Sequence, residues 1–376
     1  MNNIVNKRLD FIDLAKGFGM LMVIYLHITI NYPSEINIYA GSRWDSFVHS
    51  MFMPIFFILS GYFFSVKRPF KEWIHKKMKR LLVPFVIFYL FTYFMNVILV
   101  TFLGVHLKSG FSYSDIFVVF YKDVYPNSAI WFLLSLFWTS LILYGIMKIT
   151  DKLILQTILV FVSFSMGVLL DKTNTNIPLY VDTSFTATIF LFTGYLFKRF
   201  RVVECLQATS KTVQNTWMVG VFIVGFLTCY VGGQGISMVN NVTGQPICFY
   251  FTAVAGSLSV IALSYMIVKL PVISYVGRYS MLVLCTHMYL TNALSRIFMK
   301  FDLLFVTSSL LTLICVCLSY YAIVPIGKKF KVLEGLLWLG KELNGWILLG
   351  DWHSWWLYIT ICQRDHEAFR GSWHSC

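Results

Sequence analysis

The sequence predicts an all-α fold: a polytopic helical membrane bundle of about ten transmembrane helices with its N- and C-termini cytoplasmic. Three observations predict it. Of 376 residues, 58% are hydrophobic and 12% charged, with a mean hydropathy of +0.71, a balance foreign to soluble globular chains. The apolar residues gather into separate runs, most of them near the 20 residues that a helix rising about 1.5 Å per residue needs to cross the roughly 30 Å hydrocarbon core. With the N-terminus placed inside, 20 lysines and arginines fall in the cytoplasmic connections and 5 in the opposite ones. That asymmetry is in phase with ten alternating segments, because basic loops are retained on the cytoplasmic side. The formal charge of +13 therefore reports membrane orientation, and no nucleic-acid partner follows from it.

The runs lie at 10–31, 46–66, 81–103, 128–147, 153–170, 184–197, 216–233, 246–268, 279–299 and 303–325. The first continues past the length of a signal-peptide core and ends in INYP, without a small-residue cleavage site. It is expected to be retained as its own targeting signal. The second carries Pro54 and Gly61 and ends at the densest basic cluster, Lys67 to Arg80. A kink or a close helix contact is expected there, since neighbouring groups in a bundle satisfy freed backbone. Trp131 and Trp138 in the fourth read as an interfacial aromatic belt, and Arg296 at the outer end of the ninth as an anchor. The sixth is short for a span.

The first run holds the candidate site. Asp13, Lys16 and His27 sit inside or at the edge of otherwise apolar sequence. An Asp or Lys at the centre of a membrane helix costs about 2.5–3.5 kcal/mol, so such residues point to function. Eleven residues separate Lys16 from His27. On a helix that leaves them only about 20° apart and roughly 16 Å along the axis, a polar track on one face. Asp13, three residues before Lys16, has the spacing to position it. The competing structural reading has Lys16 snorkelling to the headgroups and His27 bonding a neighbouring helix. His49, near the outer end of the second run, lines the same cavity or plays a structural part. His287, in the middle of the ninth, is a second catalytic candidate, or a donor to another helix.

Other chemistry finds little support. The eight cysteines are scattered, none in a C-x-x-C pair, and Cys315 and Cys317 point about 200° apart on a helix, so most read as small packing residues and no metal site is expected. No phosphate loop, dinucleotide fingerprint, H-E-x-x-H or G-x-S-x-G occurs. Asn241-Val242-Thr243 fits a glycosylation acceptor, a pattern common by chance.

Four stretches carry a family resemblance: DFIDLAKGFGMLMVIYLH at 10–27, FMPIFFILSGYFF at 52–64, IWFLLSLFW at 130–138, and SMLVLCTHMYL at 280–290, with TGYLFKRF at 193–200 in support. Together they resemble the acyltransferase 3 family of integral-membrane acyltransferases, over about residues 8–330. The family's mark is a basic residue eleven positions before a histidine in the first helix, matched here by Lys16 and His27. Lysine followed by glycine, together with Asp13, is similar to the branch of fucose 4-O-acetyltransferase-like proteins. The family usually writes F-H-M-P in its second helix, and this chain departs from that with Phe52 in the histidine's place.

The resemblance implies an acyl-CoA donor, most often acetyl-CoA, used as a substrate with no bound cofactor. It implies as acceptor a hydroxyl of a cell-surface polysaccharide or glycan intermediate, and as location a bacterial cell membrane. Lys16 then serves as a point charge for the donor's phosphates and Asp13 positions it. His27 is the general base, or the carrier of a transient acyl group, with His287 as a second catalytic residue and His49 beside the substrate.

The domain expected from this reading spans 1–331. The tail, 332–376, carries six of the eleven tryptophans and reads as an interfacial aromatic segment, a further helical piece, or a non-native extension. Its histidines are too irregularly spaced for a metal site. The rival classes are a transporter or flippase, for which Lys16 and His27 form a solute path, and a non-catalytic paralogue, which Phe52 favours. No repeat between the halves supports the transporter, and nothing in the sequence speaks to oligomeric state.

Overall fold

The computed structural model describes residues 2–33, 48–102, 104, 111–121, 127–232, 237–301 and 303–329. The chain divides into two compact units, Met1–Leu336 and Leu337–Cys376. The tryptophan-rich tail lies outside the described residues, so the readings offered for it do too.

The first unit is helical. It comprises α1 (Asn2–Thr29), α2 (Pro54–Tyr62), α3 (Phe70–Lys77), α4 (Val83–Thr101), α5 (Trp131–Ile149), α6 (Leu153–Lys172) and α7 (Val181–Arg199). These are followed by α8 (Val202–Gln207), α9 (Lys211–Gly232), α10 (Pro246–Ile267), α11 (Pro271–Arg278), α12 (Ser280–Met299) and α13 (Phe305–Lys329). Among the described residues, six helical stretches are long and apolar enough to cross a membrane: Asp10–Thr29, Phe70–Thr101, Ser128–Ile149, Leu153–Lys172, Pro246–Ile267 and Phe305–Ile326. The other expected runs are helices as well, but shorter or more polar.

The polar character of α7 follows from its position. It packs on α2, α5 and α6, and residues from Asp182 to Gly194 are almost all buried. Its hydroxyls bond back along the helix: Ser184 donates to the Tyr180 carbonyl at 2.6 Å, Thr188 to that of Ser184 at 2.8 Å and Thr193 to that of Ile189 at 2.8 Å. A helix walled by protein needs no lipid-facing stripe, which is why its hydropathy is low. By contrast α6 turns Ile154, Ile158, Phe161, Val162, Met166 and Leu169 outward, an exposed apolar face suited to acyl chains.

The second run breaks at Phe52 and Met53, just ahead of Pro54, as expected for a residue with no backbone N–H and a ring that clashes with the preceding turn. Beyond the break α2 meets α7 backbone to backbone. A Cβ on Gly61 would strike the Leu191 carbonyl, and one on Gly194 the Ile58 carbonyl. The two glycines lie in the similar stretches SGYFF and TGYLF and face each other across the contact, the arrangement by which small residues bring helices together where water drives nothing.

Trp131 is not part of an aromatic belt. It is 5% exposed, with its ring centroid 5.7 Å from that of Tyr180. The start of α5 and the Pro178–Tyr180 turn ahead of α7 are therefore held together at one end of the bundle.

Candidate active site

Helix α1 is fixed at its basic end by α11. A Cβ on Gly277 would meet the Asp13 carbonyl, so the backbones touch and the next residue, Arg278, is delivered to the acidic side chains of α1. Its Nε donates to the Asp13 carboxylate at 3.1 Å, and its guanidinium lies 3.7 Å from Asp10, which also has the Lys269 ammonium at 4.0 Å. Arg278 thus joins the expected neighbour Lys16 beside Asp13. Lys16 and Asp13 are close enough to interact electrostatically, but the carboxylate takes its hydrogen bond from Arg278, whose planar guanidinium suits an oxygen acceptor better than a flexible ammonium does. Asp13 thus ties α1 to α11. Arg278 is half-exposed, so the pair sets register more than stability.

The Lys16 ammonium also lies 6.0 Å from the centre of the Phe63 ring. On the other member of the Phe63–Phe64 pair sits a second lysine. Lys77 donates to the Ser140 hydroxyl of α5 at 3.0 Å and lies 5.6 Å from the rings of both Phe64 and Trp73. Sequence reading left Lys77 in a basic loop. The signal that finds it is the helical spacing in FKEWIHKK, which puts Trp73 and Lys77 on one face four residues apart. A π-helical turn, Met78–Leu82, then carries the chain into α4.

Further along α1 the structure brings His27 and His287 together. Their ring centroids are 5.0 Å apart and the planes meet at 54°. His27 is half-buried, whereas His287 is fully buried in α12. Nδ1 of His287 lies 2.9 Å from the Val283 carbonyl and 3.0 Å from that of Leu284. Both partners are acceptors, so Nδ1 carries the proton and Nε2 the lone pair in the neutral ring. Nε2 is buried and has no hydrogen-bond partner among the described residues. Such a group costs about 1–3 kcal/mol unless something bonds to it, and it calls for an explanation beyond packing.

The turn bearing His287 is held on both flanks by the residues ahead of α5, which the sequence did not single out. Asn127 donates to the Cys285 carbonyl at 2.9 Å, and the Ser128 hydroxyl contacts the Met288 sulfur at 3.7 Å. Tyr320 of α13 meets Thr286 at 3.0 Å. The His49 ring makes an edge-on contact with that of Phe52, centroids 5.9 Å apart. The position where a histidine was expected and the nearby histidine are thus paired, one turn apart.

The arrangement offers two imidazoles on adjoining helices, one with an open buried nitrogen, and two ammonium groups over aromatic rings. That is equipment for moving a proton and for holding an anionic substrate. Residues 9–326 match the Acyl_transf_3 family, described as an acyltransferase domain. The chain belongs to the acyltransferase 3 family. The domain matched covers the described first unit from α1 into α13, and contains both histidines and both lysines. Among curated proteins the chain is similar to glucans biosynthesis protein C of Escherichia coli, 33% identical over 94 residues in strain SMS-3-5 / SECEC and 32% over 94 residues in strain K12. Each match covers 22% of this chain and 24% of the relative, so the chain is matched to about a quarter of the relatives' length. No solved structure matches this acyltransferase 3 protein.

Proposed function

We propose that this protein is a membrane O-acyltransferase that moves a short acyl group, acetyl above all, from acyl-CoA to a hydroxyl of a cell-surface glycan or glycan intermediate. The observation that carries the reading is the facing pair His27 and His287, with a buried acceptor nitrogen left open on the second. In the reaction the acceptor hydroxyl gives its proton to His27 as its oxygen attacks the thioester carbonyl. The tetrahedral adduct then collapses to the ester, and the coenzyme leaves as a thiolate that recovers the proton. The open Nε2 of His287 accepts a hydrogen bond from the substrate and orients it. Lys16 and Lys77 hold the donor's phosphates as point charges.

The finer parts rest on several supports. The name of the Escherichia coli relatives supports a glucan-type acceptor, and Lys16-Gly17 with Asp13 supports the fucose 4-O-acetyltransferase-like branch. The 20 to 5 division of basic residues supports ten spans with both ends of the bundle in the cytoplasm of a bacterial cell. The test is incubation of the protein, purified into lipid, with radiolabelled acetyl-CoA and candidate glycans. Transfer of label to a glycan is expected; label that stays on the coenzyme with every acceptor tells against the reading.

A further inference from the structure

Five charged side chains of alternating sign form a ladder where α1 meets α11: Lys269, Asp10, Arg278, Asp13 and Lys16. The first four are joined by contacts of 4.0, 3.7 and 3.1 Å. The last step is different. Asp13 and Lys16, three residues apart on one helix, have the spacing of an ion pair, yet among the described residues no hydrogen bond or ion pair joins them. The Asp13 carboxylate accepts from Nε of Arg278, and the Lys16 ammonium stands 6.0 Å from the centre of the Phe63 ring. Three cations against two carboxylates leave one positive charge, and the ladder's ends are unequal: Lys269 is exposed, whereas Lys16 is half-buried.

The backbone puts Arg278 in that place. A Cβ on Gly277 would strike the Asp13 carbonyl, and one on Gly17 the Ile273 carbonyl, so α11 touches α1 at the residues that bracket Lys16. The guanidinium is planar and carries several donors, which lets it serve Asp13 and Asp10 together, as a single ammonium does not. An opposite charge on one side of a carboxylate lowers what it offers to a second cation on the other. Without Arg278 the cation left beside Asp13 is Lys16, and the pair at i and i+3 closes, covering the ammonium with a carboxylate of its own helix.

We infer that Arg278 is a positioning residue that draws the Asp13 carboxylate off Lys16 and so keeps the ammonium open to a phosphate of the donor. The inference rests on the proposed role of Lys16 in holding acyl-CoA. The test is equilibrium CoA binding by the full chain in nanodiscs of zwitterionic lipid, for the wild type, Lys16→Ala, Arg278→Ala, Arg278→Lys and two double variants. Arg278→Ala is expected to weaken CoA about fivefold, the scale of one partly exposed ion pair, and Arg278→Lys to weaken it less. Adding Asp13→Asn to Arg278→Ala should bring the affinity back, because the carboxylate that covers Lys16 is gone. Adding Asp10→Asn restores the same net charge but leaves Asp13 on Lys16, and should not bring it back. Both doubles carry Arg278→Ala and share any loss of folded protein, so their difference reports the carboxylate beside Lys16. Wild-type affinity in Arg278→Ala, no recovery in either double, or equal recovery in both overturns the inference. Wild-type affinity in Lys16→Ala overturns the donor-site reading of Lys16 and the inference with it, whereas loss in Lys16→Ala beside any of the first three results leaves that reading standing.

Discussion

His287 spends its one ring proton on carbonyls of its own helix and keeps a bare nitrogen inside the protein, while His27 stands against it with more freedom. The two variants should therefore fail in the same step. His27→Ala and His287→Ala are each expected to lower single-turnover acetyl transfer by about 10²-fold or more, with CoA binding preserved. Lys16→Ala is expected to do the reverse, weakening CoA binding while a saturated enzyme still transfers, and Lys16→Arg should be tolerated. Equilibrium CoA binding and single-turnover transfer in one lipid preparation separate the patterns; wild-type transfer by His27→Ala would remove the proposed base. Lys16 and His27 were legible because polar residues at helical spacing stand out in apolar sequence. The meeting of His27 with His287 was not, since nothing local in either helix says that α1 and α12 adjoin. Arg278 was hidden for the same reason: its partner Asp13 looks satisfied by the lysine three residues on.

The helices themselves were largely readable, because an apolar run of near-spanning length has few alternatives in a membrane. Their boundaries were less so. The 184–197 run extends to Val181–Arg199 since serines and threonines at its start are buried by neighbouring helices and bonded to its own carbonyls. Pro54 and Gly61 announced both the break and the close contact; that the partner would be Gly194 was visible only in space. Gly61→Ala is expected to cost about 1–3 kcal/mol, as an added methyl against backbone forces two helices apart. Gly145→Ala and Gly220→Ala, whose Cβ atoms would meet nothing within 4 Å, should leave stability nearly unchanged. Thermal unfolding in one detergent compares the three; equal stability of Gly61→Ala and Gly145→Ala would remove the close contact.

At the scale of the whole molecule the basic residues carry the expected orientation: 20 lysines and arginines fall in the connections predicted to be cytoplasmic and 5 in the opposite ones. Reporter fusions after Lys79 and Lys211 should accordingly report cytoplasm, and fusions near Lys122 and Gln234 the exterior. A cytoplasmic signal at Lys122 would break the ten-span arrangement at its third segment. The charge pattern predicts this orientation from sequence alone, whereas contacts between helices, such as that of α2 with α7, exist only once the bundle is assembled.

The reciprocal contact of Gly61 and Gly194 has an energetic signature of its own. Each glycine guards the same separation between the same two backbones, so the first methyl group to arrive spends the whole cost of moving them, and the second finds the gap already open. A double-mutant cycle on Gly61→Ala and Gly194→Ala should then be strongly sub-additive, unlike pairs of distant substitutions, whose effects sum to within about 0.5 kcal/mol. In sequence change over time, the two positions would lose their glycines together or keep both.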